Sequence, residues 1–320
     1  MLHRRTFLQM GALSSAASLS LASGAQAQGG TSGAGAGTSS GTAFSPAEKS
    51  GLAVALGGGA AKAFAHIPVL EAFDELGIKP DELAGTSMGA ILGSLYAGGM
   101  AAVEIRAYVI ELFAKRRPLL RRLFLDSGRP ISSLFNLTRP AIIDPLVLFE
   151  AVLPCSFPKS FSDLQIPLKI VATNFHGQSQ VVLNEGPLLP AVAASSALPV
   201  LLTPVRINGS VLIDGGFVNP TPFDVLDPGF KTIGVDVTGT DFVDDGKLPS
   251  ALETWIGSFS ITLHSLVTEK LKRKSPDLLI EPPVGTFSTM DFFKIENILT
   301  SVDASKDRFK RQIAELMEDH

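Results

Sequence analysis

The stretch DELAGTSMGAILGSLYAGG, residues 81–99, decides the reading of this chain. A short apolar step, Leu83-Ala84, runs into Gly85-Thr86-Ser87-Met88-Gly89, and a run of small and apolar residues follows from Ala90. The pattern reads as a strand, a tight corner and a helix. One serine sits between two glycines at that corner. Two readings fit it. Glycines allow a helix to pack closely on a sheet, and they also leave a serine exposed on a strained turn, as a nucleophile elbow requires. With 30 glycines in the chain, a chance G-x-S-x-G carries little weight alone.

The surrounding order supports an α/β layered fold. GLAVALGGG (51–59) reads as a buried strand stopped by glycines, and HIPVLEAFDELGI (66–78) as a helix ended by Gly77. Downstream, IPLKIVATNF (166–175) and SQVVLNEG (179–186) read as paired strands around His176-Gly177. LLPAVAASSALPV (188–200) reads as a short helix ended by Pro199, and GSVLIDGGFVNPTP (209–222) as a strand entering a glycine turn. KTIGVDVTG (231–239) and PDLLIEPPV (276–284) read as further strands, SALETWIGSFSITLHSLVTEKLKRK (250–274) as a long helix, and 291–318 as one or two closing helices. The basic end of the long helix suits its dipole.

The composition excludes several classes of function. The 320 residues carry a net charge of −4, with no broad basic footprint for nucleic acid. The single cysteine, Cys155, allows neither an intramolecular disulfide nor a cysteine metal cluster. The five histidines show no HExxH spacing, so no zinc site, and no other metal or cofactor, is expected.

The first residues read as targeting. Arg4-Arg5 precede an apolar run from Gly11 to Gly24 and an A-x-A step, Ala25-Gln26-Ala27. This resembles a twin-arginine export signal over 1–27, an ordinary Sec signal being the alternative. It implies an exported bacterial protein, periplasmic or secreted. No cysteine at the cleavage step offers a lipid anchor. Residues 28–50 are Gly/Ser-rich and read as a flexible linker ahead of a domain over 51–320.

The chemistry needs donors for an oxyanion and a base. Gly57-Gly58-Gly59-Ala60 can converge backbone N–H groups at a helix start. The same run is not a phosphate loop, because Lys62 is followed by Ala63. Nor is it a dinucleotide fingerprint, because that spacing ends on Lys62. His66 precedes the serine, His264 lies within the long helix and His320 is the last residue, so none fits the Ser–Asp–His order. Asp214 ends an apolar strand before Gly215-Gly216. A carboxylate there can be a base with a raised pKa, or an Asp-Gly turn that caps a strand.

Together these elements resemble the patatin-like phospholipase family over roughly 50–310. The family's glycine loop falls on Gly58 to Ala63, its G-x-S-x-G on Gly85 to Gly89 and its D-G-[GA] on Asp214 to Gly216. VATNFHG, AASSALPVLLTPV and VNP follow in matching order. The resemblance implies a three-layer α/β/α sandwich on a mainly parallel central sheet. It implies a Ser87–Asp214 dyad without histidine, with an oxyanion hole at Gly58, Gly59 and Ala60. Lys62 would anchor the loop or meet substrate. The implied substrates are lipid or phospholipid esters, with no metal. Ala60 and Ala63 replace family glycines and Pro68 another. If position 60 needs a positive φ, the alanine is strained. The basic and apolar stretch Lys115–Leu125 offers a possible membrane-surface contact, or a segment that caps the site.

Overall fold

A computed structural model describes residues 49–113, 143–239 and 248–318. The export signal, nearly all of the linker and the 115–125 segment therefore lie outside the described residues.

The elements come in the order the hydrophobic pattern suggests. β1 (Leu52–Leu56), α1 (His66–Leu76), β2 (Glu82–Thr86), α2 (Met88–Ala97) and α3 (Ala102–Phe113) open the domain. Then follow α4 (Pro145–Val152), β3 (Leu168–Asn174), β4 (Ser179–Leu183), α5 (Leu188–Ser195), β5 (Val205–Ile207) and β6 (Ser210–Asp214). β7 (Lys231–Val235), α6 (Ala251–Leu271), β8 (Leu278–Ile280), α7 (Ile295–Asp303) and α8 (Lys306–Glu318) complete it. Gly77 ends α1 in a left-handed C-cap at φ 68°. Ser250 and Glu253 form a capping box at the start of α6. Pro68 falls in the first turn of α1, where a helix needs no N–H from it.

Among the described residues, eight strands form one sheet. β8, β7, β1, β2 and β3 run parallel, while β4 and β6 pair antiparallel with β3 and β5 with β6. Alternation along β1 separates the two faces. Leu52, Val54 and Leu56 point into the larger core with α1, α2, α3, α5, α7 and α8. Ala53 and Ala55 face the other way, with Ala84, onto Phe223, Leu226 and Leu271 at the end of α6. The sheet is thus covered on both sides, thickly on one and thinly on the other. This is the α/β/α arrangement on a mainly parallel sheet.

The register of β3 places the site. β2 pairs with Leu168 to Val171, β6 with Ala172 to Asn174, and β4 with Ile170 to Asn174. A strand has two edges, and β4 overlaps both other partners, so β4 holds one edge alone. β2 and β6 therefore share the opposite edge and run head-on. Thr86 sits opposite Val171 and Asp214 opposite Ala172, one residue further along. The strand that ends before Ser87 and the strand that ends in Asp214 stop against each other.

Candidate active site

Ser87 sits between β2 and α2 with φ 53° and ψ −123°, a conformation that costs on the order of 1–3 kcal/mol for a residue with a side chain. The glycines around it are there for space. A Cβ on Gly85 would lie 2.6 Å from the Ala90 Cα, and one on Gly89 would lie 2.1 Å from the Leu56 carbonyl oxygen. Backbone stands on the other side of both contacts, so neither position tolerates a side chain. Packing explains the glycines, and the serine is left to chemistry.

The Ser87 Oγ donates to Asp214 Oδ2 at 2.8 Å. The other oxygen, Oδ1, accepts from the Gly216 N–H at 2.8 Å. Asp214 is buried, and burial pushes its pKa from the ordinary 3.8 up to about 6, against the two hydrogen bonds that favour the carboxylate. A carboxylate so placed can take a proton from the hydroxyl it touches.

Residues that sequence reasoning did not single out hold the pair in place. The Ser87 N–H donates to Ser195 Oγ, 2.9 Å, and that hydroxyl donates to the Val171 carbonyl, 2.6 Å. Thr173 Oγ1 donates to the Asp214 carbonyl, 2.7 Å, and Thr86 Oγ1 to the Asn219 carbonyl, 2.8 Å. The Asn219 side chain donates to Asp224 and Gln180 and accepts from Lys270 on α6. Ser195 lies within AASSALPV and Asn219 within VNP, so both stretches carried the signal without naming the residue.

The glycine loop divides its labour differently from the sequence expectation. The Gly58 N–H, expected among the oxyanion donors, donates to the Pro220 carbonyl at 2.8 Å. The N–H groups of Gly59 and Ala60 have no partner among the described residues, and both residues line the cavity beside Ser87. Ala60 has φ 49°, which is the left-handed conformation the alanine was expected to resist. Ala63 has no such strain. Lys62 is buried, and its Nζ donates to the Gly239 carbonyl at 2.8 Å. It is absent from the lining of the cavity beside Ser87, and the bond to Gly239 is of the kind that anchors a loop.

The described histidines stay off the serine. His66 is buried, its Nε2 lies 2.7 Å from the Gly57 carbonyl, and burial lowers its pKa from 6.5 to about 4. It is neutral at pH 7 and bridges α1 to the loop. His264 Nδ1 faces Thr238 Oγ1 at 3.4 Å, and His176 stacks edge-on against Phe175.

The dyad opens into a cavity of about 390 Å³. Its walls are mostly apolar: Met88 and Ile91 of α2, Leu148 and Phe149 of α4, Leu201 and Leu202, Phe259 of α6 and Phe292. That volume lies in the range of a pocket for one small apolar ligand.

The patatin-like phospholipase model matches residues 54–227, which include the glycine loop, Ser87 and Asp214. The chain belongs to the patatin-like phospholipase family. Patatin-like phospholipase domain-containing protein 6 of Homo sapiens is 29% identical over 274 residues, 77% of this chain and 19% of that protein. Lysophospholipase NTE1 of Candida glabrata is 29% identical over 283 residues, 77% of this chain and 15% of that protein. The NTE family protein Rv1063c of Mycobacterium tuberculosis is 33% identical over 172 residues, 53% of this chain and 44% of that protein. The chain thus spans less than half the length of these curated relatives.

Two stability predictions follow from the strain and the buried charge. Ala60→Gly relieves a left-handed alanine and should raise stability by up to about 1 kcal/mol, while Ala63→Gly should lower it by at least ~0.5 kcal/mol. Urea midpoints of the two variants moving in the same direction would contradict this. The second concerns Asp214. Its folded pKa, about 6, stands above the ordinary 3.8, so the fold pays for the charge fully above pH 6 and not at all below 3.8. The full cost is about 3 kcal/mol by linkage. Asp214→Asn should therefore be more stable than the parent at pH 8, and the advantage should fade as pH falls from 6 to 4. His66 works in the opposite direction over the same window, since its lowered pKa costs stability as pH falls from 6.5 to 4. It is common to both proteins and cancels in the difference.

Proposed function

We propose that this chain is a serine acyl hydrolase that cleaves acyl esters of phospholipids or related lipids with Ser87 and Asp214. The observation that carries the reading is the 2.8 Å hydrogen bond from Ser87 Oγ to a buried carboxylate at the end of an apolar cavity. Family membership and the similarity to the Candida glabrata lysophospholipase support the same class.

The acyl chain lies in the cavity with its ester carbon at Ser87. Asp214 takes the Oγ proton as Oγ attacks the carbonyl carbon. The negative charge that forms on the carbonyl oxygen meets the Gly59 and Ala60 N–H groups, each such donor being worth about 3 kcal/mol in a transition state. The positive end of α2 points to the same place. The intermediate collapses, the ester C–O bond breaks, and Asp214 returns the proton to the leaving alcohol. Water then repeats the sequence on acyl-Ser87, with Asp214 again as base, and releases the fatty acid. Desolvation suits this carboxylate to both halves, because a pKa near 6 lets it hold and release a proton near neutral pH.

Two other readings use the same geometry: hydrolysis of soluble acyl esters or thioesters, and lipid binding without turnover. Export through residues 1–27, a linker over 28–50 and a hydrolase domain over 51–320 rest on sequence alone, and membrane contact through 115–125 does too.

Fatty-acid release from mixed micelles tests the proposal. Ser87→Ala and Asp214→Asn should each lower kcat/KM by at least ~10³-fold with the fold intact. His264→Ala should stay within about twofold of the parent, since its imidazole faces Thr238. kcat/KM should fall on the acid side with a midpoint at about pH 6, because Asp214 must be ionised to accept the proton. Activity surviving in Ser87→Ala, or lost in His264→Ala, would sink the dyad. Turnover of short soluble esters alone would favour the esterase reading.

A further inference from the structure

The wall of the cavity carries a turn whose chemistry is at odds with its sequence. Leu198, Leu201 and Leu202 line the cavity. The Leu198 carbonyl accepts from the N–H of Leu201 at 3.2 Å and of Leu202 at 2.9 Å. Pro199 occupies the second position of this turn and Val200 the third, with φ 72°. Proline followed by a positive φ is the type II pattern, and its third position calls for glycine. Here a β-branched residue takes it, the side-chain class least suited to that conformation.

Packing does not repay the strain, because Val200 is 52% exposed. The turn closes on the Leu198 carbonyl, sends its leucines into the cavity and presents the valine to solvent. A second wall segment repeats the arrangement. Met290, Phe292 and Phe293 line the cavity, yet Met290 is 40% exposed and Phe293 46%. The apolar lining thus continues outward onto the surface at two places. An exposed, strained apolar residue and an exposed phenylalanine each cost the folded protein something in water.

We propose that Val200, Met290 and Phe293 form a docking lip that dips into a lipid surface and passes an acyl chain from it to the cavity. The proposal rests on the lipid-ester reading of that cavity. The occupant follows from continuity: Met290 and Phe293 line the same apolar cavity as Ser87, and Val200 stands in a turn whose Leu198, Leu201 and Leu202 line it, so an acyl chain leaving a lipid layer there has apolar residues to follow to the serine. The contact is apolar, which separates it from a charge-driven contact through the basic segment 115–125. An apolar contact works on zwitterionic lipid and withstands salt, while a charge contact needs anionic lipid and is screened.

The test is sedimentation of the full chain with vesicles, in a Ser87→Ala background so that lipid is not consumed. Partition onto phosphatidylcholine vesicles is expected, with little change as salt rises from ~0.05 to ~0.5 M. Val200→Gly and Phe293→Ser should each weaken it about three- to tenfold, from the apolar area withdrawn. Val200→Gly should do so while its melting temperature holds or rises, because glycine suits the turn. A merely structural valine would not lose lipid binding while keeping stability. Partition unchanged in both variants, absent altogether, or confined to anionic vesicles and lost at high salt would each overturn the lip. Vesicle binding with no hydrolysis by the unsubstituted chain would sink the hydrolase reading and leave the lip standing.

Discussion

The head-on meeting of β2 and β6 along one edge of β3 is the constraint on which the site depends. Parallel strands alone bring loops to one end of a sheet, but they do not bring two strand ends into contact. β6 comes back antiparallel, and its register with β3 begins where that of β2 stops. A slip of two residues in either strand would move Ser87 Oγ and Asp214 Oδ2 apart by roughly 7 Å, more than twice a hydrogen bond. The bonds from Thr173 to the Asp214 carbonyl and from Ser195 to the Val171 carbonyl both fasten that junction to β3.

A junction this tight fixes the protonation chemistry. Strand ends that stop against each other bury the carboxylate, so Asp214 is desolvated and its pKa rises. The carboxylate touches Oγ directly and its pKa of about 6 lies near that of an ordinary histidine, which is why the proposed dyad calls for no imidazole between acid and serine. His66, only one turn from the glycine loop, is used for architecture instead. Its ring holds the Gly57 carbonyl, and its lowered pKa keeps it uncharged beside a site that must tolerate a carboxylate.

Much of this was legible in the sequence. The strand–corner–helix around Ser87 follows from apolar periodicity meeting glycines, and Asp214 at the end of an apolar strand follows from the same pattern. Both are local signals. The edge shared by β2 and β6 is not local: it depends on pairings between segments far apart in sequence, which a single sequence does not display. Gly58 shows the same limit. Three consecutive glycines look equivalent as N–H donors, and only the approach of Pro220, distant in sequence, commits one of them. Lys62 read equally well as a group for substrate or for the loop, and its bond to the Gly239 carbonyl, distant in sequence, was invisible in the sequence. Ser195 and Asn219 were hidden for another reason. Their types are ordinary, and their importance lies wholly in what the fold puts opposite them.

Backbone strain draws the outline of the site independently of any motif. Among the described residues, five that are not glycine have positive φ. Gln178 lies in the turn between β3 and β4, and Asn208 in the turn between β5 and β6, where the geometry of a hairpin demands it and asparagine accepts it. The other three are Ala60, Ser87 and Val200. No hairpin asks for these. Ala60 and Ser87 face the cavity, and Val200 sits beside two leucines that do. Strain of this kind persists only where the surroundings over-determine it, and the large core on the thick face of the sheet supplies that rigidity. On the proposed reading the three residues serve three different needs of one reaction: an N–H turned towards a developing charge, a hydroxyl held out on a corner, and an apolar side chain held out to the medium from which the substrate would come.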